Sequence, residues 1–267
     1  VAQNSNLHCS VIDTSKNEKE FKADVLVAED NPNNQKLIEI LLKKVGINPV
    51  IVSNGKDAVE EYKKREFDLI LMDVNMPILD GISAMKQIKI LEQRVNTKKT
   101  PIVALTANSI AGDKERYLQQ GMDGYLSKPI EFEKLLSILG EFLKKQSSKN
   151  EIKNNFDVIE NKQISKYNKQ DAMKQLSLDE STVDMLLDNL FLTLDNDLKN
   201  LQEAIDEKNS EKIVKFSHYI KGACSSLAMN EASLILENIE KKALKGEVNF
   251  DLADLKSIFK EIQNSLW

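Results

Sequence analysis

The chain has 267 residues, of which 41% are hydrophobic and 30% charged, enough apolar material for one large or two ordinary domains. Its net charge of −5 disfavours a nucleic-acid-binding protein, and no apolar run approaches the roughly 20 residues that span a bilayer. Cys9 and Cys224 lie far apart in the sequence and predict no disulfide framework, so we expect a protein of the reducing cytoplasm.

Residues 1–22 are polar and non-periodic, and the chain begins with Val1. We interpret them as a linker remnant of a longer protein. His8 and Cys9 fall in this stretch, where an unstructured tail is a better interpretation than a metal site.

The positions of proline and glycine divide the rest of the chain. All 5 prolines and all but two of the 9 glycines precede residue 145. A region rich in turns followed by one with few helix breakers predicts an α/β domain at 23–145 and an all-α domain at 171–267. Residues 146–170 are polar and predict a linker.

Short apolar strands alternate with amphipathic helices in the first domain. Strands are predicted at 24–28, 49–52, 69–72, 101–105 and 124–127, and helices at 32–45, 55–65, 82–91, 110–120 and 131–145, with a loop at 92–100. Right-handed crossovers then give a five-stranded, doubly wound parallel sheet.

Five polar residues follow the strands, and the carboxyl ends of parallel strands share one edge of the sheet. They are Glu29, Asp30, Asp73, Thr106 and Lys128. Clustered carboxylates repel unless a cation lies between them, and oxygen ligands suit Mg²⁺. This edge is therefore predicted to bind Mg²⁺ and to accept a phosphoryl group.

Phosphoryl transfer needs a nucleophile and charge stabilisation, which these residue types supply. Asp73 can attack phosphorus, Thr106 can donate a hydrogen bond to a phosphoryl oxygen, and Lys128 can pair with another. An Asp after a strand is also often only a turn residue or a helix cap.

The segments VLVAEDN, DLILMDVNMPILDG, PIVALTAN and GMDGYLSKPI, in this order and spacing, resemble a response-regulator receiver domain. The resemblance implies a flavodoxin-like fold in which Asp73 is the phosphoacceptor and Glu29 and Asp30 hold Mg²⁺. The backbone carbonyl of Asn75 is implied as a further ligand.

The same resemblance implies that Thr106 is the switch hydroxyl of the family and that Lys128 is its invariant lysine. It places Tyr125 where the family has a switch aromatic that moves with Thr106. An ordinary half-buried strand aromatic is the alternative for Tyr125.

The second domain shows helical periodicity throughout. Apolar stripes predict helices at 179–206, 210–227, 230–244 and 250–266, joined by short connections, which indicates an up-down four-helix bundle. Cys224 falls on the apolar stripe of the second helix and is expected to be inert packing.

His218 lies on the opposite side of that helix, about 160° from Ile220 at 100° per residue, and is expected to face solvent. Gly222 and Ser225 share its face, and Lys221 flanks it. A glycine inside a helix costs about 1 kcal/mol relative to alanine, so a bare backbone beside a histidine suggests close approach of another molecule.

Residues 210–230 (SEKIVKFSHYIKGACSSLAMN) resemble a histidine-containing phosphotransfer (HPt) domain. The resemblance implies that His218 is a phosphoacceptor and that Lys221 offsets phosphoryl charge. Gly222 and Ser225 are then expected to contact a docked receiver.

Together these resemblances predict a cytoplasmic phosphorelay module from the C-terminal part of a hybrid histidine kinase. Whether the parent protein is anchored in a membrane stays open. The expected partners are a histidine kinase domain upstream and a separate receiver downstream, with no nucleic acid. The chain has no Gly-rich phosphate loop, so neither an ATP-binding kinase core nor a cofactor-binding flavodoxin is expected.

Three further questions stay open at this point. Phosphoryl flow can run in either direction, and exchange between Asp73 and His218 within one chain is undecided. The alternatives to a relay are a phosphorylation-controlled scaffold and an Asp-nucleophile phosphatase. Asn75 disfavours the phosphatase, because such enzymes usually place a second Asp there as general acid.

Overall fold

The computed structural model describes residues 21–95, 99–106, 113–143 and 167–266. The predicted tail residues His8 and Cys9 lie outside these ranges, as does most of the predicted linker. No helix in the described ranges is long and apolar enough to cross a membrane.

The first domain contains a five-stranded parallel sheet in the order β2-β1-β3-β4-β5. The strands are β1 (Val25–Ala28), β2 (Val50–Val52), β3 (Leu69–Asp73), β4 (Ile102–Thr106) and β5 (Gly124–Ser127). β1, β3 and β4 are buried along their whole length, as the unbroken apolar runs indicate for the centre of a parallel sheet. The predicted doubly wound fold is confirmed.

Five helices connect and cover the strands: α1 (Pro32–Lys44), α2 (Gly55–Lys64), α3 (Gly81–Val95), α4 (Asp113–Gln120) and α5 (Phe132–Leu143). Helix α3 extends into residues predicted as loop. Glu92, in this extension, accepts hydrogen bonds from the Thr100 backbone amide (2.7 Å) and the Tyr62 hydroxyl (3.1 Å). These contacts connect the last turns of α3 to the start of β4. The spacing of apolar residues could not predict them, because Glu92 is polar.

The second domain is helical, as predicted, with α7 (Glu180–Asp206), α8 (Ser210–Ser226), α9 (Asn230–Ala243) and α10 (Ala253–Leu266). Asp179 and Asn209 accept backbone hydrogen bonds at the starts of α7 and α8, which satisfies amides that have no partner inside the helix. A shorter helix, α6 (Lys169–Leu176), precedes them and was not predicted. Its buried Ala172 and Leu176 join the bundle core.

The two domains pack against each other through α1, which contacts α7 and α8. Asn34, Leu37, Leu41 and Lys44 follow one another at helical spacing along one stripe of α1. Leu37 and Leu41 are at most 1% exposed, and one hydrophobic cluster continues from them into the bundle. Each fully buried leucine contributes about 1.5–3 kcal/mol relative to an exposed one.

Gly81 begins α3 directly behind Asp73, and its backbone amide donates to the Val74 carbonyl at 3.0 Å. A β-carbon at this position would lie 2.1 Å from the Asp73 carbonyl oxygen. We therefore expect Gly81→Ala to lower the free energy of unfolding by about 1–3 kcal/mol, because the β3–α3 turn must shift. Urea denaturation followed by circular dichroism measures the change.

Gly140→Ala is the matched control, since its added methyl would meet no atom within 4 Å among the described residues, apart from the backbone of its own helix. It should stabilise α5 by up to about 1 kcal/mol. Equal effects of the two substitutions would contradict the steric explanation.

Candidate functional site

Three carboxylates meet at the carboxyl edge of the sheet. Glu29 and Asp30 follow β1, and Asp73 ends the neighbouring strand β3. One oxygen of each lies within 4.8 Å of an oxygen of the others. Glu29 is 0% exposed and Asp73 3% exposed. The predicted convergence of these side chains is therefore present.

Lys128, after β5, lies between two of these carboxylates. Its ammonium is 2.5 Å from Asp73 Oδ2 and 2.7 Å from Glu29 Oε2. Burial opposes the charged form, but Glu29 and Asp73 raise the pKa of Lys128 above its ordinary value. The peptide bond from Lys128 to Pro129 is cis.

Burial has the largest effect on the pKa values of Glu29 and Asp30. It raises the pKa of Glu29 to about 7, against the lowering effect of Lys128. It also raises the pKa of Asp30, with a further contribution from the charge of Asp73. One lysine thus leaves excess negative charge at this edge.

The donor set fits a small divalent cation. Glu29 Oε2 is buried and, within the described part of the chain, makes no well-oriented hydrogen bond, although Lys128 lies close to it. Asp73 Oδ1 accepts the backbone amide of Asn75 at 3.0 Å, which holds the following turn against the site. Carboxylate and carbonyl oxygens are the ligands that Mg²⁺ takes in proteins.

The predicted switch residues occupy the neighbouring strands. Thr106 ends β4, is 2% exposed, and its hydroxyl lies 3.2 Å from the Tyr117 hydroxyl on α4. Tyr125 is half-buried in β5 and packs against a hydrophobic cluster of the sheet that includes Ile70 and Ala104. Its assignment as a switch stays a prediction.

A second polar cluster lies between α8 and α9. His218 Nδ1 is 2.9 Å from Glu240 Oε1, and the other oxygen of Glu240 accepts from Lys221. Burial opposes ionisation, but hydrogen bonds from His218 and Lys221 lower the pKa of Glu240 below its ordinary value. Glu240 was not identified from the sequence, because it lies 22 residues beyond His218 and only the folded bundle brings the two together.

The structure corrects the exposure predicted for this face. The His218 side chain is 23% exposed and that of Lys221 11%. Both are covered because α9 packs on α8 and places Glu240 over them. Ser225 lies against α9, where its hydroxyl pairs with Ser233.

Gly222 lies against the first domain of the same chain, and its expected contact with a docked partner receiver stays a prediction. A β-carbon there would lie 3.3 Å from Asn34 Nδ2. Ser226, one position beyond the predicted Ser225, donates to Asn34 Oδ1 at 3.0 Å.

Three asparagines at the start of α1 make polar contacts between the two domains. Asn31 Nδ2 donates to the Tyr219 carbonyl at 2.9 Å, and Asn33 Oδ1 accepts from Asn189 at 2.6 Å. Asn31, Asn33 and Asn34 are at most 7% exposed. Sequence reasoning missed them; the only available signal was a run of short amides around Pro32, which a helix start alone also explains.

The two clusters are close enough to interact electrostatically. Burial and the charge of Asp73 raise the pKa of Asp30, and the charges of Lys128 and His218 oppose this rise to a smaller extent. Burial also raises the pKa of Tyr219 to about 12, with contributions from the carboxylates of Asp30 and Glu29. The hydrogen bond from Asn31, next to Asp30, to the carbonyl of Tyr219, next to His218, holds this part of α8 against the acidic edge of the sheet.

Comparison with known proteins assigns both domains. The family model of the response regulator receiver domain matches residues 25–140, and that of the Hpt domain matches residues 185–265. Histidine-protein kinase BarA of Escherichia coli K12 is 31% identical over 256 residues, which are 92% of this chain and 27% of that protein. Sensor protein GacS of Pseudomonas syringae is 44% identical over 115 residues, 43% of this chain and 13% of that protein. The chain thus spans about a quarter or less of these relatives.

Solved structures give matches to parts of the chain. A co-crystal of the Saccharomyces cerevisiae phosphotransfer protein Ypd1 with the receiver domain of Ssk1 matches at 34% identity and TM-score 0.46, covering 48% of this chain and 92% of that one. The receiver domain of Pseudomonas aeruginosa PA1611, with magnesium in its active site cleft, matches at 39% identity and TM-score 0.42, covering 46% and 98%.

Both domain types, their order and the acidic and histidine clusters agree with one assignment. The chain belongs to the two-component phosphorelay proteins, with a receiver domain followed by an Hpt domain as in the C-terminal part of a hybrid histidine kinase.

Proposed function

We propose that Asp73 accepts a phosphoryl group from a phosphohistidine and that His218 of the same chain exchanges it with Asp73. The observation that carries this proposal is the docking of α8 on α1, where Asn31, next to Asp30, donates to the carbonyl of Tyr219, next to His218, at 2.9 Å. Exchange within one chain needs no diffusional encounter, so its effective concentration is set by the domain contact.

The receiver residues have different roles at the phosphoryl group. An oxygen of Asp73 attacks phosphorus, the bond to the donor nitrogen breaks, and its electron pair returns to the donor imidazole. Thr106 and Lys128 are expected to bind the phosphoryl oxygens, with Tyr125 responding to the movement of Thr106. Lys128 already contacts the Asp73 carboxylate, so a modest shift brings it to a phosphoryl oxygen.

The acidic cluster provides the expected metal site. Glu29, Asp30, Asp73 and the backbone carbonyl of Asn75 would hold Mg²⁺, which when bound neutralises charge on the carboxylates and the phosphoryl oxygens. Two positive charges there, added to that of Lys128, balance three carboxylates. The chain's own residues then position the reacting oxygen.

The second transfer uses the free nitrogen of His218. His218 donates a hydrogen bond from Nδ1–H to the Glu240 carboxylate, which leaves the outward Nε2 lone pair free to attack phosphorus. The bond from phosphorus to the Asp73 oxygen breaks and its electrons return to the carboxylate. The resulting positive imidazole lies beside Glu240, whose negative charge stabilises it.

The wider partners follow from this chemistry. A histidine kinase domain supplies the phosphoryl group, and a separate receiver takes it from His218 or returns it. We place the module in the cytoplasm, within a longer hybrid histidine kinase. Gly222 borders the surface on which receivers would dock.

Radiolabelled transfer from a phosphorylated kinase domain tests this function. The unaltered chain should carry base-labile label on Asp73 and acid-labile label on His218. Asp73→Asn should carry neither, and His218→Gln should retain only the base-labile label. Unchanged labelling of Asp73→Asn, or no acid-labile label in any chain that has His218, would refute the assignment.

A mixing experiment tests exchange within the chain. The rate of label transfer from Asp73 to His218 in the unaltered chain should be independent of protein concentration. A mixture of the Asp73→Asn and His218→Gln chains should transfer more slowly, at a rate proportional to concentration. Equal rates in both samples would show that exchange occurs between chains.

A further inference from the structure

Asn34 makes contacts on both sides of the domain boundary. Its Nδ2 donates to Glu29 Oε1 at 2.9 Å, and its Oδ1 accepts from the Ser226 hydroxyl at 3.0 Å. Both hydrogen bonds are buried, and Asn34 itself is 2% exposed. One side-chain amide thus connects a predicted metal ligand to the HPt helix.

The chemistry of the two partners determines the orientation of this amide. As a cation ligand Glu29 is an ionised carboxylate, which only accepts hydrogen bonds, so the amide nitrogen must face Glu29 and the oxygen then faces Ser226. Reversing the amide would place its oxygen against a carboxylate oxygen. Docking of α8 therefore holds the orientation in which Asn34 supports Glu29.

Separation of the domains would change the two sides unequally. Ser226 also lies 3.0 Å from the Gly222 carbonyl in its own helix, so its proton keeps a partner when Asn34 leaves. Asn34 would instead be exposed to water and free to rotate away from Glu29. Glu29 would then lose the donor that holds Oε1, while Oε2 lies beside Lys128.

We propose that Asn34 is a positioning residue that couples occupation of the acidic site by a divalent cation to docking of the HPt domain. The inference rests on the proposed function for the identity of the cation. Partners of metal ligands commonly change affinity by about 10–100-fold when they are removed. Because such coupling is reciprocal, the cation strengthens docking by the same factor by which docking strengthens cation binding.

The experiment is a calorimetric titration of the full chain with MgCl₂. Asn34→Ala should weaken Mg²⁺ binding about 10-fold, because Glu29 loses its donor. Ser226→Ala should weaken it about 5-fold, although this residue lies in the other domain and cannot contact the cation. Ser233→Ala is the control, because among the described residues the Ser233 hydroxyl makes hydrogen bonds only within the HPt domain. The Mg²⁺ affinity of this variant should match that of the unaltered chain.

Hydrogen exchange supplies a second measurement that does not depend on heat. Saturating Mg²⁺ should slow amide exchange at the α1–α8 contact in the unaltered chain and leave it unchanged in Asn34→Ala. Should Asn34→Ala fail to fold, Ser226→Ala decides the question alone. Unaltered Mg²⁺ affinity in Ser226→Ala overturns the coupling and leaves the relay intact, whereas no Mg²⁺ binding by the unaltered chain refutes the metal site itself.

Discussion

Replacing Lys128 with methionine is expected to lower the free energy of unfolding by about 3–5 kcal/mol in Mg²⁺-free buffer at pH 8. The substitution keeps the volume of the side chain but removes the cation that lies between Glu29 and Asp73. Two buried carboxylates would then face each other without compensation. Urea denaturation followed by circular dichroism measures the loss.

The loss should depend on both pH and metal. Without the lysine, protonation of Glu29, whose pKa burial already raises to about 7, relieves the repulsion. A carboxyl with a raised pKa in the folded state makes stability fall as pH rises through its titration range, so the deficit should be smaller at pH 6 than at pH 8. The variant has one positive charge less at the site and should bind Mg²⁺ more tightly than the unaltered chain. Mg²⁺ at 100 times its dissociation constant from the variant should therefore stabilise the variant by about 2.7 kcal/mol and reduce the deficit.

Lys134→Met is the matched control, because Lys134 pairs with Glu131 one turn away near the surface of α5. Such pairs contribute about 0.3–0.5 kcal/mol. Similar losses in the two variants, or a Lys128→Met deficit that neither pH nor Mg²⁺ changes, would contradict the electrostatic explanation.

The sheet could be predicted from the sequence because each of its central strands is a run of apolar residues that ends in, or is followed by, a polar residue. Leu69 to Asp73 is the clearest case: four apolar residues are followed by the carboxylate that then lies at the edge of the sheet. Alternation with helices makes every strand parallel, and parallel strands bring their ends together. The sequence alone therefore predicts one shared edge of the sheet for Glu29, Asp30, Asp73, Thr106 and Lys128.

The domain contact could not be predicted in the same way. Asn31, Asn33 and Asn34 look like residues that begin a helix, and Asn31 indeed caps α1. Their contacts to α7 and α8 are made with residues more than 150 positions away. Short polar side chains have no periodicity that distinguishes a docked surface from a solvated one.

Glu240 illustrates the same limit within a single domain. Its neighbours in sequence, Glu237 and Lys241, pair with each other on the surface of α9. A charged helix face of this kind is usually solvated, and only the packing of α9 on α8 turns Glu240 toward His218. The position of one carboxylate then decides which nitrogen of the phosphoacceptor is free.

Glu240→Ala is accordingly expected to slow phosphoryl uptake by His218 about 100-fold. The change leaves Nδ1 of His218 without its acceptor and the buried ammonium of Lys221 without its counter-charge. The outward nitrogen would then carry the proton in part of the population and could not attack phosphorus. Nitrogen-15 spectra of the imidazole report this tautomer directly, and transfer from phosphorylated Asp73 measures the rate.

Two further variants separate the hydrogen bond from the charge. Glu240→Gln keeps an oxygen for Nδ1 and should preserve the tautomer, with a smaller loss of rate because the positive imidazole formed on transfer lacks a neighbouring anion. Glu237→Ala removes an exposed partner of Lys241 and should change neither measurement. A normal tautomer and rate in Glu240→Ala would exclude a positioning role.

The acid dependence of stability follows from the same contacts. Since His218 and Lys221 lower the pKa of Glu240, its stabilising contribution is complete above its ordinary value of 4.5 and is lost as pH falls through the lowered one. Glu240→Gln cannot titrate there, so its stability should fall less steeply than that of the unaltered chain below pH 4.5. Parallel acid curves would mean that the carboxylate gains nothing from the pair, and the stabilisation of the positive imidazole would lose its electrostatic basis.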